Sequence, residues 1–77
     1  MFRNIDAEQA RKKLSNADIA KYLGISRITY ERKKKSGGFI LSEIKLLMKL
    51  FDCTFDYLFM TDEEQEAADV QVNQAPV

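Results

Sequence analysis

The sequence contains no histidine, no tryptophan, one proline and a single cysteine, Cys53. One cysteine excludes an internal disulfide framework and a cysteine-based zinc finger. The absence of histidine removes the commonest metal ligand and general base, and there is no glycine-rich loop that could hold a phosphate group. We therefore expect neither an enzyme nor a cofactor, a metal site or a small-molecule ligand.

Long apolar runs are also missing. No stretch approaches the roughly 20 apolar residues that a membrane-spanning helix needs, and the end that begins with Met1 lacks the apolar segment of a signal peptide. We therefore expect a cytoplasmic protein that makes no membrane contact. The length of 77 residues allows one small domain.

The formal net charge is zero, but the charges are unevenly distributed along the chain. Residues 1–50 contain all 12 basic residues and five acidic ones, a net charge of +7, whereas residues 51–77 contain seven acidic residues and no basic one. This division favours a basic surface for an anionic partner, followed by an acidic segment. The alternative interpretation is that the charges only keep the helix faces soluble. In that case basic and acidic residues would be more evenly mixed along the chain.

The sequence predicts an all-α protein, because glycine and proline are rare and no alternating apolar pattern indicates a strand. Five helices are expected, at about residues 5–13, 16–23, 27–35 and 41–51 and directly after residue 54. The predicted N-caps are Asn4, Ser15, Ser26 and Thr54. Gly24 is expected to end the second helix in the left-handed conformation.

The composition changes after Met60. Residues 61–77 contain five acidic residues, no basic residue and no aromatic one. Such a segment buries too little apolar area to offset the entropy lost on ordering. We therefore predict a disordered acidic tail over residues 61–77.

The second and third predicted helices are joined by a short turn at Gly24. Ala20, four residues earlier, allows the two helices to approach closely, and Tyr30 is expected to pack inward at their crossing. The third helix contains five basic residues and one acidic residue between Arg27 and Lys35. This pattern predicts an outward-facing basic helix beside a steep helix crossing.

Five blocks of the sequence carry a resemblance to a known family: Ser15-Asn16, Ala20, Leu23-Gly24-Ile25-Ser26, Leu41-Ser42-Glu43-Ile44-Lys45 and Leu50–Phe59. In these blocks residues 14–59 resemble the helix-turn-helix domain of the lambda-repressor/Cro family, also called the Xre family of phage and bacterial regulators. Lys13 stands where the family usually has glycine, and Ile40 stands where a serine or threonine cap is expected.

The resemblance implies a five-helix lambda-repressor-like domain over residues 1–60, with the helix-turn-helix at about residues 15–35. It implies a sequence-specific transcriptional regulator of repressor type that binds double-stranded DNA. Such proteins place the third helix in the major groove and usually bind palindromic operators as homodimers. The predicted dimer contacts are Tyr57, Phe59 and Leu46. Helix spacing places these apolar residues away from the side of each helix that is expected to face the core.

The family's roles carry over to nine positions of the third helix and the helix starts. Arg27, Ile28 and Arg32 are expected to face base edges, and Ile28 or Thr29 to contact a thymine methyl group. Phosphate contacts are expected from the helix starts and from the basic run: Asn16, Ser26, Lys33, Lys34 and Lys35. Lys21 is expected as a further basic residue that neutralises phosphate. If about six phosphates are contacted, affinity falls with salt at a log–log slope near −5.

Other interpretations of these residues stay open at this point. Asn16 could act only as a cap for the second helix, and the lysine run could complement the dipole at the end of the third helix. A protein-interaction module, similar to an anti-repressor or an antitoxin, is the alternative function. The acidic tail is its best support, since the tail could compete with DNA for the basic face.

Overall fold

A computed structural model of the chain describes residues 1–67, in which the regular secondary structure is helical and there is no strand. Five helices have these bounds: α1 Arg3–Arg11, α2 Asn16–Leu23, α3 Arg27–Ser36, α4 Leu41–Phe51 and α5 Phe55–Leu58. A sixth helix, α6, is described over residues 62–67. The all-α prediction is therefore confirmed for this part of the chain, whereas the count of five helices is one short.

Most helix starts follow the predicted capping residues. Ser15 accepts a hydrogen bond from the backbone N–H of Asp18, whose carboxylate accepts one from the Ser15 N–H in return. Ser26 and Thr54 cap α3 and α5 in the predicted way. The pKa of Asp18 lies below its usual value. The hydrogen bond from the Ser15 backbone is the larger cause, and the one from the Ser15 hydroxyl is the smaller. These local bonds satisfy N–H groups that a helix leaves without intrahelical partners.

The start of α1 differs from the prediction. The helix begins at Arg3, its N-cap residue is Phe2, and no side chain caps it. Asn4 is buried, and its amide group donates a hydrogen bond of 2.8 Å to the backbone carbonyl of Tyr57. Asn4 was predicted as a cap, but it instead ties α1 to α5, because a buried amide requires a partner in the interior.

Two residues near helix boundaries, Lys13 and Ile40, have distinctive local geometry. Lys13 adopts a φ of +57°, a left-handed conformation that glycine accommodates more easily. Ile40 precedes α4 without a side-chain cap, and its backbone N–H donates instead to the carboxylate of Glu43 at 3.0 Å. The first turn of α4 is therefore capped from within the helix.

The core lies between α1, α2, α4 and α5 and includes the inward face of α3. Tyr30, predicted to pack inward, is fully buried. The phenyl ring of Phe59 lies 5.4 Å from that of Phe2 and 5.7 Å from that of Phe39, which joins the chain start, the α3–α4 loop and the end of α5. The buried core is built from one residue or more of each of these elements: Phe2, Ile5, Ile19, Ala20, Tyr30, Leu47, Phe51 and Leu58.

Residues 62–67 correct the prediction that the chain is disordered from residue 61. Thr61 caps α6 by accepting a hydrogen bond from the Glu64 N–H. The Asp62 carboxylate accepts hydrogen bonds from the backbone N–H and the Nε of Arg3, at 3.3 and 3.2 Å. A capped first turn and a basic partner on α1 thus order a stretch whose composition alone indicates disorder. Residues 68–77, the rest of the predicted tail, lie outside the described residues.

None of the helices described within residues 1–67 is long and apolar enough to cross a membrane.

Candidate nucleic-acid interface

The α2–α3 pair is fixed by the turn at Gly24. Gly24 has a φ of +76°, in the left-handed region predicted for it. Its N–H and that of Ile25 donate to carbonyl groups of the last turn of α2, and Ala20 is almost fully buried at the helix crossing. This turn closes α2 and leads directly into Ser26, so that α3 begins at the surface.

The leading end of α3 is open to solvent. Ser26, Arg27 and Ile28 are all exposed, whereas Thr29 is half-buried. The Ser26 hydroxyl accepts from the Thr29 N–H and donates to the Thr29 hydroxyl at 2.8 Å. Ile28 exposes 69% of its surface, the largest exposed fraction among the large apolar residues described. A bulky apolar side chain therefore projects from the first turn of a basic helix.

The outward face of α3 continues toward its C-terminal end. Because an α-helix turns about 100° per residue, residues 27, 28, 31, 32 and 35 share one arc of about 140°. Arg32 and Lys35 are exposed on this arc. Ile28, Glu31, Arg32 and Lys35 line one shallow depression of the surface. The structure thus brings four predicted interface residues, Arg27, Ile28, Arg32 and Lys35, onto one face.

Lys33 lies on the opposite side of α3 and does not belong to this face. Its ammonium group is 2.8 and 2.9 Å from the two carboxylate oxygens of Glu43 in α4. The Lys33 side chain is 17% exposed and that of Glu43 is 5% exposed. Lys33, predicted as a phosphate contact, is thus paired with a carboxylate of the protein and lies away from the face that carries Arg27 and Arg32.

Lys34 is also turned inward. Its ammonium group donates to the Asp6 carboxylate and to the Asn16 side-chain oxygen, each at 2.9 Å, and lies 5.0 Å from the centre of the Tyr30 ring. Its side chain is only 16% exposed. Lys34, predicted as a phosphate contact, therefore joins α1, α2 and α3 in this structure. Of the predicted lysine run, only Lys35 extends outward.

Asn16 opens α2, as predicted, but its side chain is fully engaged within the protein. Its oxygen accepts hydrogen bonds from Gln9 and Lys34, and its amide donates to the Glu31 carboxylate at 2.9 Å. Gln9 in turn accepts a hydrogen bond from the buried Tyr30 hydroxyl. Burial is the main cause that raises the pKa of the Tyr30 hydroxyl, and the nearby Asp6 carboxylate adds to it. The hydroxyl therefore stays protonated and remains a donor at ordinary pH.

Glu31 is the residue of this face that the sequence interpretation left without a role. The same oxygen of its carboxylate that accepts from Asn16 also accepts from the Arg27 guanidinium, at 2.9 Å. The hydrogen bond from Asn16, with the help of Arg27, holds the pKa of Glu31 below its usual value, although burial opposes this. The spacing of four residues between Arg27 and Glu31 was a visible signal for this pair.

The three predicted dimer contacts occupy different environments. Tyr57 is 36% exposed, and its hydroxyl donates to the Glu8 carboxylate at 2.9 Å. Leu46 and Phe59 are half-buried. Six other large apolar side chains are more exposed than Tyr57: Met1, Tyr22, Ile28, Ile40, Leu41 and Phe55.

Comparisons of the chain with models of protein families, with curated proteins and with solved structures give no match. Within residues 1–67, no three Cys, Asp or Glu side chains come together in a group that could hold a metal ion.

Proposed function

We propose that this protein is a sequence-specific DNA-binding transcriptional regulator of repressor type, which places α3 in the major groove of its operator. The observation that carries the proposal is the exposed start of α3, where Ile28 lies on the same solvent-exposed face as Arg27 and Arg32. A bulky apolar side chain that contacts no core gains from covering a thymine methyl group. The two arginines of this face offer the donors that guanine accepts.

The base-reading residues are Arg27, Ile28 and Arg32, and the proposed phosphate contacts are Ser26, Thr29 and Lys35. This set is smaller than the sequence alone suggests, because the side chains of Asn16, Lys33 and Lys34 are bonded to other side chains of the protein. Ser26 and Thr29 are uncharged, so fewer phosphates are neutralised than the roughly six considered from the sequence, and the log–log slope of affinity against salt should be shallower than about −5.

We also propose that the protein binds as a homodimer and that repression follows from steric exclusion of polymerase. Two copies of α3 would then occupy half-sites one helical turn of DNA apart, about 34 Å. Sedimentation equilibrium with and without a selected duplex measures this directly. A single copy per duplex at saturation would contradict the dimer while leaving DNA binding intact.

Selection of bound duplexes from a random pool, with the full chain, tests the function. We expect enrichment of one motif with two-fold symmetry, and binding to that duplex at least 1,000-fold tighter than to a scrambled one, on the order expected for specific sites. Equal affinity for all duplexes would overturn the proposal. Binding should be measured over a salt series, because affinity at one salt concentration carries no separate information on charge.

Arg27→Ala is the informative variant for this experiment, and Arg11→Ala is its control. Both remove an exposed guanidinium that is paired with a glutamate of its own helix. Arg27→Ala should relax discrimination at one base pair by about 1–3 kcal/mol, whereas Arg11→Ala should leave base preference unchanged. Equal, sequence-independent losses in both variants would remove Arg27 from the base-reading set.

The second candidate is a protein-interaction module of anti-repressor or antitoxin type. The observation in its favour is the low net charge of the outward face of α3, where Arg27 is paired with Glu31 and two of the lysines are turned inward. Absence of duplex enrichment, together with formation of a stoichiometric complex with a purified regulator, would support this candidate over the first.

A further inference from the structure

The Glu31 carboxylate has two oxygens in different situations. Oε2 accepts hydrogen bonds from the guanidinium Nη1 of Arg27 and the amide of Asn16, each at 2.9 Å. Among the described residues, none donates a hydrogen bond to Oε1. The Glu31 side chain is 34% exposed and lines the outward depression of α3 together with Ile28, Arg32 and Lys35. One oxygen of a fixed carboxylate is therefore available at the proposed DNA-facing surface.

Glu31 is held in place from the core. Asn16, which donates to it, is itself fixed by Gln9 and Lys34, and Gln9 accepts from the hydroxyl of the fully buried Tyr30. Each member of this chain of hydrogen bonds belongs to α1, α2 or α3. A network whose members are all bonded restricts the side chain at its exposed end. Glu31 is thus preorganised, unlike an ordinary surface glutamate.

Helix stability is a poor explanation for the Arg27–Glu31 pair. Arg27 is the first residue of α3, where the helix dipole disfavours a positive charge. An acidic residue four positions after a basic one is also the weaker of the two pair orientations. Exposed pairs of this kind contribute little to folding. On a surface that approaches phosphates, a carboxylate moreover costs affinity, so its presence favours a role in selecting partners.

The pairing leaves both groups able to contact bases. An arginine side chain carries five N–H donors in a rigid plane, and Glu31 uses one of them. The remaining donors suffice for a bidentate contact to guanine O6 and N7. The free oxygen of a glutamate accepts from the 4-amino group of cytosine, the one base with only a donor in the major groove.

We propose that Glu31 is a specificity-determining residue of this protein, which positions the Arg27 guanidinium on a guanine and accepts with its free oxygen from a cytosine within two base pairs of it. The inference rests on the proposed function and deepens it, because it assigns a G·C-containing element to each half-site. Arg27 and Glu31 act as one reading unit, and Glu31 excludes bases that offer an acceptor at the cytosine position.

The test uses the full chain and the duplex obtained by selection, in which each base pair is replaced in turn. We expect Glu31→Gln to lose the preference for cytosine at one position and to gain affinity for adenine there, because glutamine binds adenine N6 and N7 in a bidentate manner. Glu63→Gln, which removes the charge of an exposed glutamate in α6, should leave the preference at every position unchanged.

A modified duplex makes the test independent of the folding of any variant. Replacing the selected cytosine by a pyrimidinone that lacks the 4-amino group should lower the affinity of the unsubstituted protein at least about tenfold, the loss typical of a hydrogen bond to a charged group. Glu31→Gln should lose much less on the same replacement. Unchanged affinity of the unsubstituted protein for the modified duplex would overturn the inference.

The failure of the inference is distinguishable from failure of the proposed function. If the unsubstituted protein enriches no duplex, DNA recognition itself fails, whatever Glu31 does. If it enriches one motif but Glu31→Gln keeps every base preference, or weakens all duplexes equally, only the specificity role of Glu31 is overturned.

Discussion

The ammonium group of Lys33 in α3 lies within 2.9 Å of both carboxylate oxygens of Glu43 in α4. Since the side chains are 17% and 5% exposed, this ion pair is largely removed from water. Glu43 also accepts from the backbone N–H of Ile40, so that one carboxylate both caps α4 and binds α3. Lys33 therefore contributes to the connection between α3 and α4.

We expect Lys33→Met to lower the free energy of unfolding by about 3 kcal/mol, because removing one partner of a buried pair leaves an uncompensated charge. Methionine keeps the apolar stem, so the loss reports on the ammonium group. Urea unfolding followed by circular dichroism measures it. Lys35→Met, at an exposed position of the same helix, should change stability by less than about 0.5 kcal/mol. Equal effects of the two substitutions would contradict the buried pair.

Lys34 and Lys35 are neighbours in sequence with opposite expected roles. Lys35→Ala should make the log–log slope of DNA affinity against salt shallower by about one, because it removes one exposed phosphate contact. Lys34→Ala should leave this slope unchanged and should lower stability by about 1 kcal/mol through the lost hydrogen bonds to Asp6 and Asn16. Salt titrations of binding and urea unfolding separate the two effects. A shallower slope for Lys34→Ala would show that its ammonium group turns outward on DNA.

The contrast between these lysines shows what the sequence could and could not indicate. Caps at Ser15 and Ser26 and the left-handed turn at Gly24 were predictable, because each depends on residues within one helical turn. The sequence interpretation treated the lysine run as one unit, although the period of α3 already places Lys33 and Lys34 beside the buried Tyr30.

Contacts between distant segments account for the remaining differences. Glu43 lies ten residues from Lys33 and Asp62 lies 59 residues from Arg3, so no local pattern indicates that either pair meets. The start of α6 did carry a local signal, because Thr61 is followed three residues later by Glu64 in the manner of a helix start. The prediction of a disordered tail over residues 61–77 relied on the average composition of that segment and did not use this local signal.

Stability should depend on pH through Asp62. Burial alone would raise the pKa of Asp62, but the hydrogen bonds from Arg3 outweigh it and lower the pKa below its usual 3.8. A lowered pKa in the folded state contributes stability above the unfolded-state value, and this contribution is lost as the pH falls through the folded-state value. We therefore expect Asp62→Asn to be less stable than the unsubstituted protein above about pH 5, and the difference to vanish in acid.

Urea unfolding at a series of pH values between neutrality and strong acid checks this expectation for Asp62. Glu63→Gln is the matched control, since Glu63 is exposed in the same helix, and its profile should follow that of the unsubstituted protein. Asp18 and Glu31 also have lowered pKa values, so the informative quantity is the difference between variants. A difference that persists unchanged in acid would show that Asp62 does not bind Arg3 as a carboxylate.

Gly24→Ala should lower the free energy of unfolding by about 1 kcal/mol, the usual cost of a left-handed conformation for a residue with a Cβ. Gly24 has a φ of +76°, and an added methyl group would meet no atom within 4 Å, so backbone strain is the only penalty. Gly38→Ala is the control, because Gly38 has no positive φ and its added Cβ would lie 3.4 Å from the Ser36 hydroxyl. Gly38→Ala should therefore be close to neutral in urea unfolding.

The base preference of folded Gly24→Ala should match that of the unsubstituted protein, since α3 keeps its outward face. A changed preference would mean that the angle of the turn itself sets the fit to DNA.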